Sequence, residues 1–176
     1  MSISFDEFSA HFSNEIREKT TFRGETTFLI NPLEIERVCI FLKSKLGFTY
    51  LTDICGADRF TPEDRFEVVY NLFNPESKFR LRLKVWVNEE NPVVQTVTSV
   101  WQSANWYERE TYDMYGVIFK GHPDLRRMYM TEDFEYFPLR KEYPLVGVAG
   151  SIPLPEIDPK ANNREAAERY NRGETV

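Results

Sequence analysis

Cysteine and histidine are nearly missing from this chain, which holds Cys39, Cys55, His11 and His122 and no others in 176 residues. A four-thiolate iron–sulfur cluster cannot be built from that inventory, and neither can a disulfide framework. A zinc site would need all four residues to meet, at spacings that fit no ordinary zinc pattern. Glycine-rich nucleotide fingerprints are also lacking. Gly116 and Gly121 have phosphate-loop spacing, but His122 and Pro123 stand where Lys and Ser or Thr would hold phosphate and Mg²⁺. Neither histidine lies near a Ser or Cys in a recognised nucleophile pattern. Positive charge is short as well: 22 Lys+Arg against 28 Asp+Glu give a net charge of −6, the wrong sign for a nucleic-acid partner.

Long hydrophobic runs are missing too. The charge-free stretch from Asn91 to Tyr107 carries Pro92, Gln95, Thr96, Thr98, Ser99, Gln102 and Asn105, too polar and too short to span a bilayer. The N-terminus has no apolar signal core, and Asp6, Glu7, Glu15 and Glu18 contradict the acid-poor composition of a transit peptide. These absences predict a soluble protein of a reducing compartment, the bacterial cytoplasm.

What is present is a core. Apolar residues make up 41% and aromatics 15%, ample for one folded domain and incompatible with a disordered tail. Phe5, Phe8, Phe12 and Ile16 recur at helical spacing behind a Ser4–Glu7 capping box, predicting a helix over 5–19. Thr26–Ile30 reads as a short strand. Asn31-Pro32 opens a second helix, with Leu33, Ile35, Val38, Phe41 and Leu42 on its apolar face and Gly47 as its stop. From Phe48 the period becomes two, so 48–54, 65–73 and 78–87 read as strands, the last pair joined by the loop 74–77. Lys78, Arg80, Arg82 and Lys84 share one face of the third of these strands, either a solvated sheet face or a surface for an acidic partner. A pair such as Asp53 and Asp58 reads as solvated carboxylates. The fold class is α+β: helices on one face of a mainly antiparallel sheet, with an extended C-terminal tail.

A helix is predicted over 105–115, stopping at Gly116, and regular periodicity fades beyond Gly121. Pro138, Pro144, Pro153, Pro155 and Pro159 crowd the next stretch and exclude a helix there. The expected division is a globular domain over 1–145 and a proline-rich tail over 146–176. That tail ends in a short helical patch, Asn163–Tyr170, too short to persist alone.

Wound at helical pitch, Tyr107, Thr111, Met114 and Tyr115 share one arc, while Arg109, Glu110 and Asp113 surround Trp106 on the other. A tryptophan framed by charges hints at a second contact surface. The residues alone leave plainer roles open: Asn105 and Glu108 as a capping box, Arg109 and Asp113 as an i,i+4 pair.

The run Trp106, Glu108-Arg109-Glu110, Tyr112-Asp113, Gly116, His122-Pro123-Asp124, Arg126-Arg127-Met128-Tyr129, continued by Pro138-Leu-Arg140-Lys141 and Tyr143-Pro144, resembles the hallmark of one family. That family is the C subunit of the proton-pumping NADH:quinone oxidoreductase, respiratory complex I. Arg65–Tyr70 and Val97–Trp101 extend the likeness over about residues 48–146. The resemblance implies a non-catalytic structural subunit of the hydrophilic arm, with no cofactor or metal of its own. FMN, iron–sulfur clusters and quinone then belong to the assembled complex, and NADH is the electron donor. The D subunit, which forms the quinone site, and the iron–sulfur I and B subunits are the implied partners. It further implies a peripheral place on the cytoplasmic side of the bacterial inner membrane, touching the membrane only through the complex. The chain end at Val176 implies the form not fused to the quinone-site subunit. The same domain in a membrane-bound hydrogenase or ferredoxin-dependent complex, and a stand-alone binding module, are the alternatives. Two Arg-bearing turns, at Arg126 and Arg140, are expected to contact another subunit or to pin the loop that does.

Overall fold

The computed structural model describes residues 5–145 together with 147 and 148. Its first helix is much shorter than the sequence pattern predicts. α1 spans Asp6–His11, β1 Ile16–Phe22, and β2 Glu25–Ile30. The chain leaves the helix because Arg23 (φ 50°) and Gly24 (φ 83°) form a two-residue hairpin loop that returns Thr20-Thr21-Phe22 onto Glu25-Thr26-Thr27. Beyond Ile16 every residue of β1 is exposed, so this edge strand has no burial period to read. Phe8 and Phe12 still point inward, and Phe8 meets Phe28 edge-on with ring centroids 5.0 Å apart.

α2 spans Ile35–Leu46, with Val38, Cys39 and Leu42 buried and the left-handed Gly47 (φ 71°) closing it. The Asn31 side chain accepts the Leu33 N–H at 3.2 Å, but residues 32–34 form a turn ahead of the helix and Leu33 is exposed. β3 (Tyr50–Asp58), β4 (Phe66–Asn74) and β5 (Phe79–Val87) then form an antiparallel meander. The five-stranded order is β1-β2-β5-β4-β3, with β2 and β5 parallel, so the sheet is mixed. This is the α+β architecture expected, with one parallel pairing that the sequence did not announce. β6 (Val93–Gln95), α3 (Ala104–Tyr115) and β7 (Ile118–Lys120) complete the regular structure of the described residues as a small parallel crossover. Three-residue strands are too short for any period to show.

The inward rows of the sheet (Phe28 and Ile30, Val68 to Leu72, Leu81 to Val85) meet the apolar sides of the helices in one cluster. On the outer face two members of the basic row are paired within the chain. Arg82 pairs with Glu25 at 3.0 Å and Lys84 with Glu67 at 2.9 Å, while Lys78 lies before the strand in a left-handed turn. The solvated-face reading therefore holds for Arg82 and Lys84. No helix among the described residues is long and apolar enough to cross a membrane.

α3 reaches β3 at Gly56, where a Cβ would lie 2.6 Å from Tyr115 Cδ2 and 2.9 Å from Thr111 Cγ2. Gly56→Ala is expected to push the helix off the strand at about 1–3 kcal/mol, read as a lowered thermal midpoint.

Candidate functional site

Three acidic side chains are buried in the described chain: Asp58, Glu108 and Asp113. Each accepts at least one backbone N–H from an irregular segment, and that geometry defines the site. Asp113 sits at the inner face of α3 with its side chain fully enclosed. Its Oδ2 accepts the N–H groups of Met128 at 2.9 Å, Tyr129 at 2.6 Å and Met130 at 3.1 Å, and Oδ1 accepts Arg127 Nη1 at 2.9 Å. Burial alone would raise its pKa; the three amides and the guanidinium outweigh burial and hold it below the ordinary carboxylate value.

Arginines do the complementary work on carbonyl oxygens. Arg127 also donates to Phe134 O at 2.8 Å and Tyr136 O at 3.1 Å. Arg109 donates to the carbonyls of Arg126 at 3.0 Å and Arg127 at 3.2 Å, and its guanidinium lies 5.1 Å over the exposed ring of Trp106. Arg140 donates to Tyr115 O at 2.8 Å while its guanidinium is held between Phe66 (4.8 Å) and Phe137 (4.5 Å). Gly116 makes this approach possible: its φ is 79°, and a Cβ would lie 2.7 Å from both Arg140 and Phe137. Arg126 differs from these three. It is 64% exposed and forks onto Asp124 at 2.7 and 2.8 Å.

The far end of the segment is tied to the sheet. Asp58 Oδ2 accepts Lys141 N–H at 2.8 Å, and both its oxygens take Arg65, at 3.0 and 2.8 Å. Arg65 also pairs with Glu89 at 2.7 Å and with Glu142. Burial pushes the Asp58 pKa up, but Arg65 and the Lys141 and Phe60 amides bring it down to about 2. The expectation that Asp58 is solvated is thus corrected: it is enclosed because Arg65 and two backbone amides replace its water.

Glu108 is corrected likewise. It does not cap its own helix with Asn105 but accepts Val97 N–H at 2.7 Å and the Thr96 hydroxyl at 2.5 Å, at zero exposure. Arg109 and Asp113 do not pair with each other, since each faces the 126–130 backbone instead.

The remaining motif residues fall into place around these anchors. Glu110 is exposed, and Tyr112 meets Phe137 edge-on at 6.4 Å. His122 is enclosed behind Glu108, while Pro123 and Pro144 are exposed and Pro138 half-buried. Tyr143 packs 6.1 Å from Phe134 and 5.7 Å from Tyr136. Asp58, Thr96, Phe134 and Phe137 join these residues in the structure and were missed or misread from the sequence, while Arg65 was held only as the first residue of the likeness over Arg65–Tyr70, with no partner assigned.

From Gly121 to Leu145 the described chain has no helix or strand. It is ordered by buried charge and holds outward Tyr129 at 61%, Leu139 at 51% and Leu145 fully exposed. Among the described residues no cluster of three or more His, Cys, Asp or Glu could hold a metal ion.

The described chain is thus an α+β domain whose buried charges shape an irregular, aromatic-bearing segment. Residues 28–149 match the family described as respiratory-chain NADH dehydrogenase, 30 Kd subunit, and the chain belongs to that family. It is 47% identical over 136 residues to the NADH-quinone oxidoreductase C subunit of Geotalea uraniireducens, covering 77% of this chain and 83% of that one. It is also 47% identical over 138 residues to one of the NADH-quinone oxidoreductase C subunits of Rhizobium meliloti, covering 77% and 75%. Among solved structures, the trypsin-resistant fragment (1-134) of Nqo5 is 35% identical with a TM-score of 0.59, covering 68% of this chain and 96% of that one. A chain of an archaeal membrane-bound sulfane sulfur reductase shares the fold at a TM-score of 0.65 and 22% identity, covering 80% and 86%.

Proposed function

We propose that the chain is a non-catalytic structural subunit of a proton-translocating NADH:quinone oxidoreductase. It stands in the hydrophilic arm on the cytoplasmic side of the bacterial inner membrane, and FMN, the iron–sulfur clusters and quinone are held by other subunits. The observation that carries this reading is the use of Asp58, Asp113, Arg109 and Arg127, which are consumed in fixing the 121–145 backbone, and of Arg140, which ties that segment to the Tyr115 carbonyl at the end of α3. Charges spent in this way shape a surface. The names of the relatives support the assignment of the complex.

The surface so shaped is the docking face for the quinone-site D subunit, with the iron–sulfur I and B subunits adjoining. Arg140 pins the segment and Arg126, on the outside, contacts the partner. Residues 1–145 form the globular unit. The proline-rich tail, which lies outside the described residues apart from 147 and 148, serves as a strap between subunits, adding contact area of the kind obligate interfaces use.

The test has two arms. In cells lacking the chain, membranes are expected to lose NADH:quinone reductase activity and the complex to be missing from native gels. Full-length purified chain is expected to show no flavin or iron–sulfur absorbance and no NADH oxidation. A stoichiometric flavin or iron–sulfur band in the purified chain would overturn the proposal, as would intact assembly in its absence.

A further inference from the structure

Glu108 differs from the other two buried carboxylates in its partners. Asp58 and Asp113 are each paired with an arginine, whereas among the described residues no arginine or lysine pairs with Glu108. Its donors are neutral, the Val97 amide and the Thr96 hydroxyl, and His122 Nε2 lies 4.0 Å away with both side chains at zero exposure. His122 cannot readily supply the missing charge. Its Nδ1 accepts the Asp124 N–H at 3.0 Å, which places the ring proton on Nε2, directed at Asn105 O at 3.3 Å. Burial lowers its pKa and Arg109 adds to this, against the raising effects of the Asn105 carbonyl and Asp124; the net shift is downward, so the ring is neutral at pH 7.

We propose that Glu108, backed by His122 and connected to the surface through the Thr96 and Thr98 hydroxyls, is a proton latch whose protonation seats the 96–98 turn and the 121–127 stretch more firmly on α3. The path is explicit. Glu108 Oε2 lies 2.5 Å from Thr96 Oγ1, which lies 3.0 Å from Thr98 Oγ1, and Thr98 is half-buried. When the carboxylate is ionised, Thr96 donates to it and Thr98 can donate to Thr96. When it takes a proton from solvent, Glu108 donates to Thr96 and Thr96 to Thr98. The same hydrogen bonds persist with their direction reversed, so the net change is removal of one buried charge.

The surroundings make Glu108 the group that titrates. Burial pushes it up to about 7, against the bonds from Thr96 and Val97, and Glu36 of α2 adds repulsion. Cys39 of α2 and Tyr70 of β4 also face it; burial first, then the charge of Glu108, raises both well above their ordinary values, so both stay neutral. Arg109 and Asp124 lie beyond His122. Arg109, the next residue after Glu108, holds the carbonyls of Arg126 and Arg127, so the latch sits at the root of the segment described above.

A carboxylate raised in the folded state binds its proton more tightly there than in the unfolded chain. Its contribution to stability is therefore present at low pH and is lost as pH rises from about 4.5 through about 7. In full-length protein the folding equilibrium constant should fall by roughly tenfold or more between pH 5.5 and 8.5 on account of this group. Glu108→Gln, whose amide can accept from Val97 and donate to Thr96, should remove that part of the slope. The Glu108 carboxyl carbon, followed by NMR in the wild type, should titrate with a midpoint near 7. Parallel stability curves for wild type and Glu108→Gln would overturn the latch. So would a wild-type carboxyl midpoint below pH 5.5, a readout that stands even where the variant does not fold.

Discussion

Asp113→Ala is expected to be among the most damaging single substitutions in the chain, costing about 3–5 kcal/mol in urea unfolding at pH 7. The size follows from what is stranded. Three consecutive amides, Met128 to Met130, lose their common acceptor, and Arg127 is left enclosed against an apolar site with one charge partner gone. Each orphaned buried donor costs on the order of 1–3 kcal/mol unless water reaches it. Asp113→Asn keeps an acceptor oxygen but loses the charge, and should fall between wild type and alanine. A loss below about 1 kcal/mol for alanine would show that the 126–130 turn holds its shape by other means.

Arg65→Met is the second large effect, again about 3–5 kcal/mol, because it leaves the Asp58 charge enclosed without its guanidinium. The pH dependence gives the signature. In the wild type Asp58 is depressed to about 2, so its contribution is present above the ordinary carboxylate pKa and is lost as pH falls toward 2. That contribution is on the order of 2 kcal/mol. Without Arg65, only the Lys141 and Phe60 amides oppose burial and the pKa of Asp58 should rise, so the variant's deficit should be largest near neutral pH and shrink in acid. The double variant Asp58→Leu with Arg65→Met should recover part of the loss, since a hydrophobic pair can replace a buried ion pair. A deficit independent of pH would contradict this reading of the pair.

How much of this was legible in the sequence depended on periodicity. β4 and β5 alternate apolar and polar residues and were legible, as was the α2 stop, where only the left-handed Gly47 is needed. β1 was not, because an edge strand exposed on both sides has no apolar row; its one local signal was Arg23-Gly24 between threonine runs. The motif residues were legible as a motif and only partly as chemistry. Asp113 reads as the polar side of an amphipathic helix, and nothing within its own helix reveals that the backbone fifteen to seventeen residues downstream folds onto it. Asp58 and Arg65 face each other across the end of the β3–β4 hairpin, seven residues apart, but Lys141 lies 83 residues beyond Asp58 and joins them only by tertiary structure. Charge buried by irregular backbone carries no period, so it escapes a reading built on periods.

We propose that the 121–145 segment is shaped from within in order to meet another subunit. Amide hydrogen exchange over that segment, in the full-length chain alone and in the detergent-solubilised complex, tests it most directly. The Met128–Met130 amides, bonded to Asp113, should exchange slowly in both states. The exposed amides around Glu132, Asp133 and Glu135 should exchange fast in the free chain and slow markedly on assembly. Equal, fast exchange at those exposed positions in both states would show that the segment meets no partner, and would contradict the account.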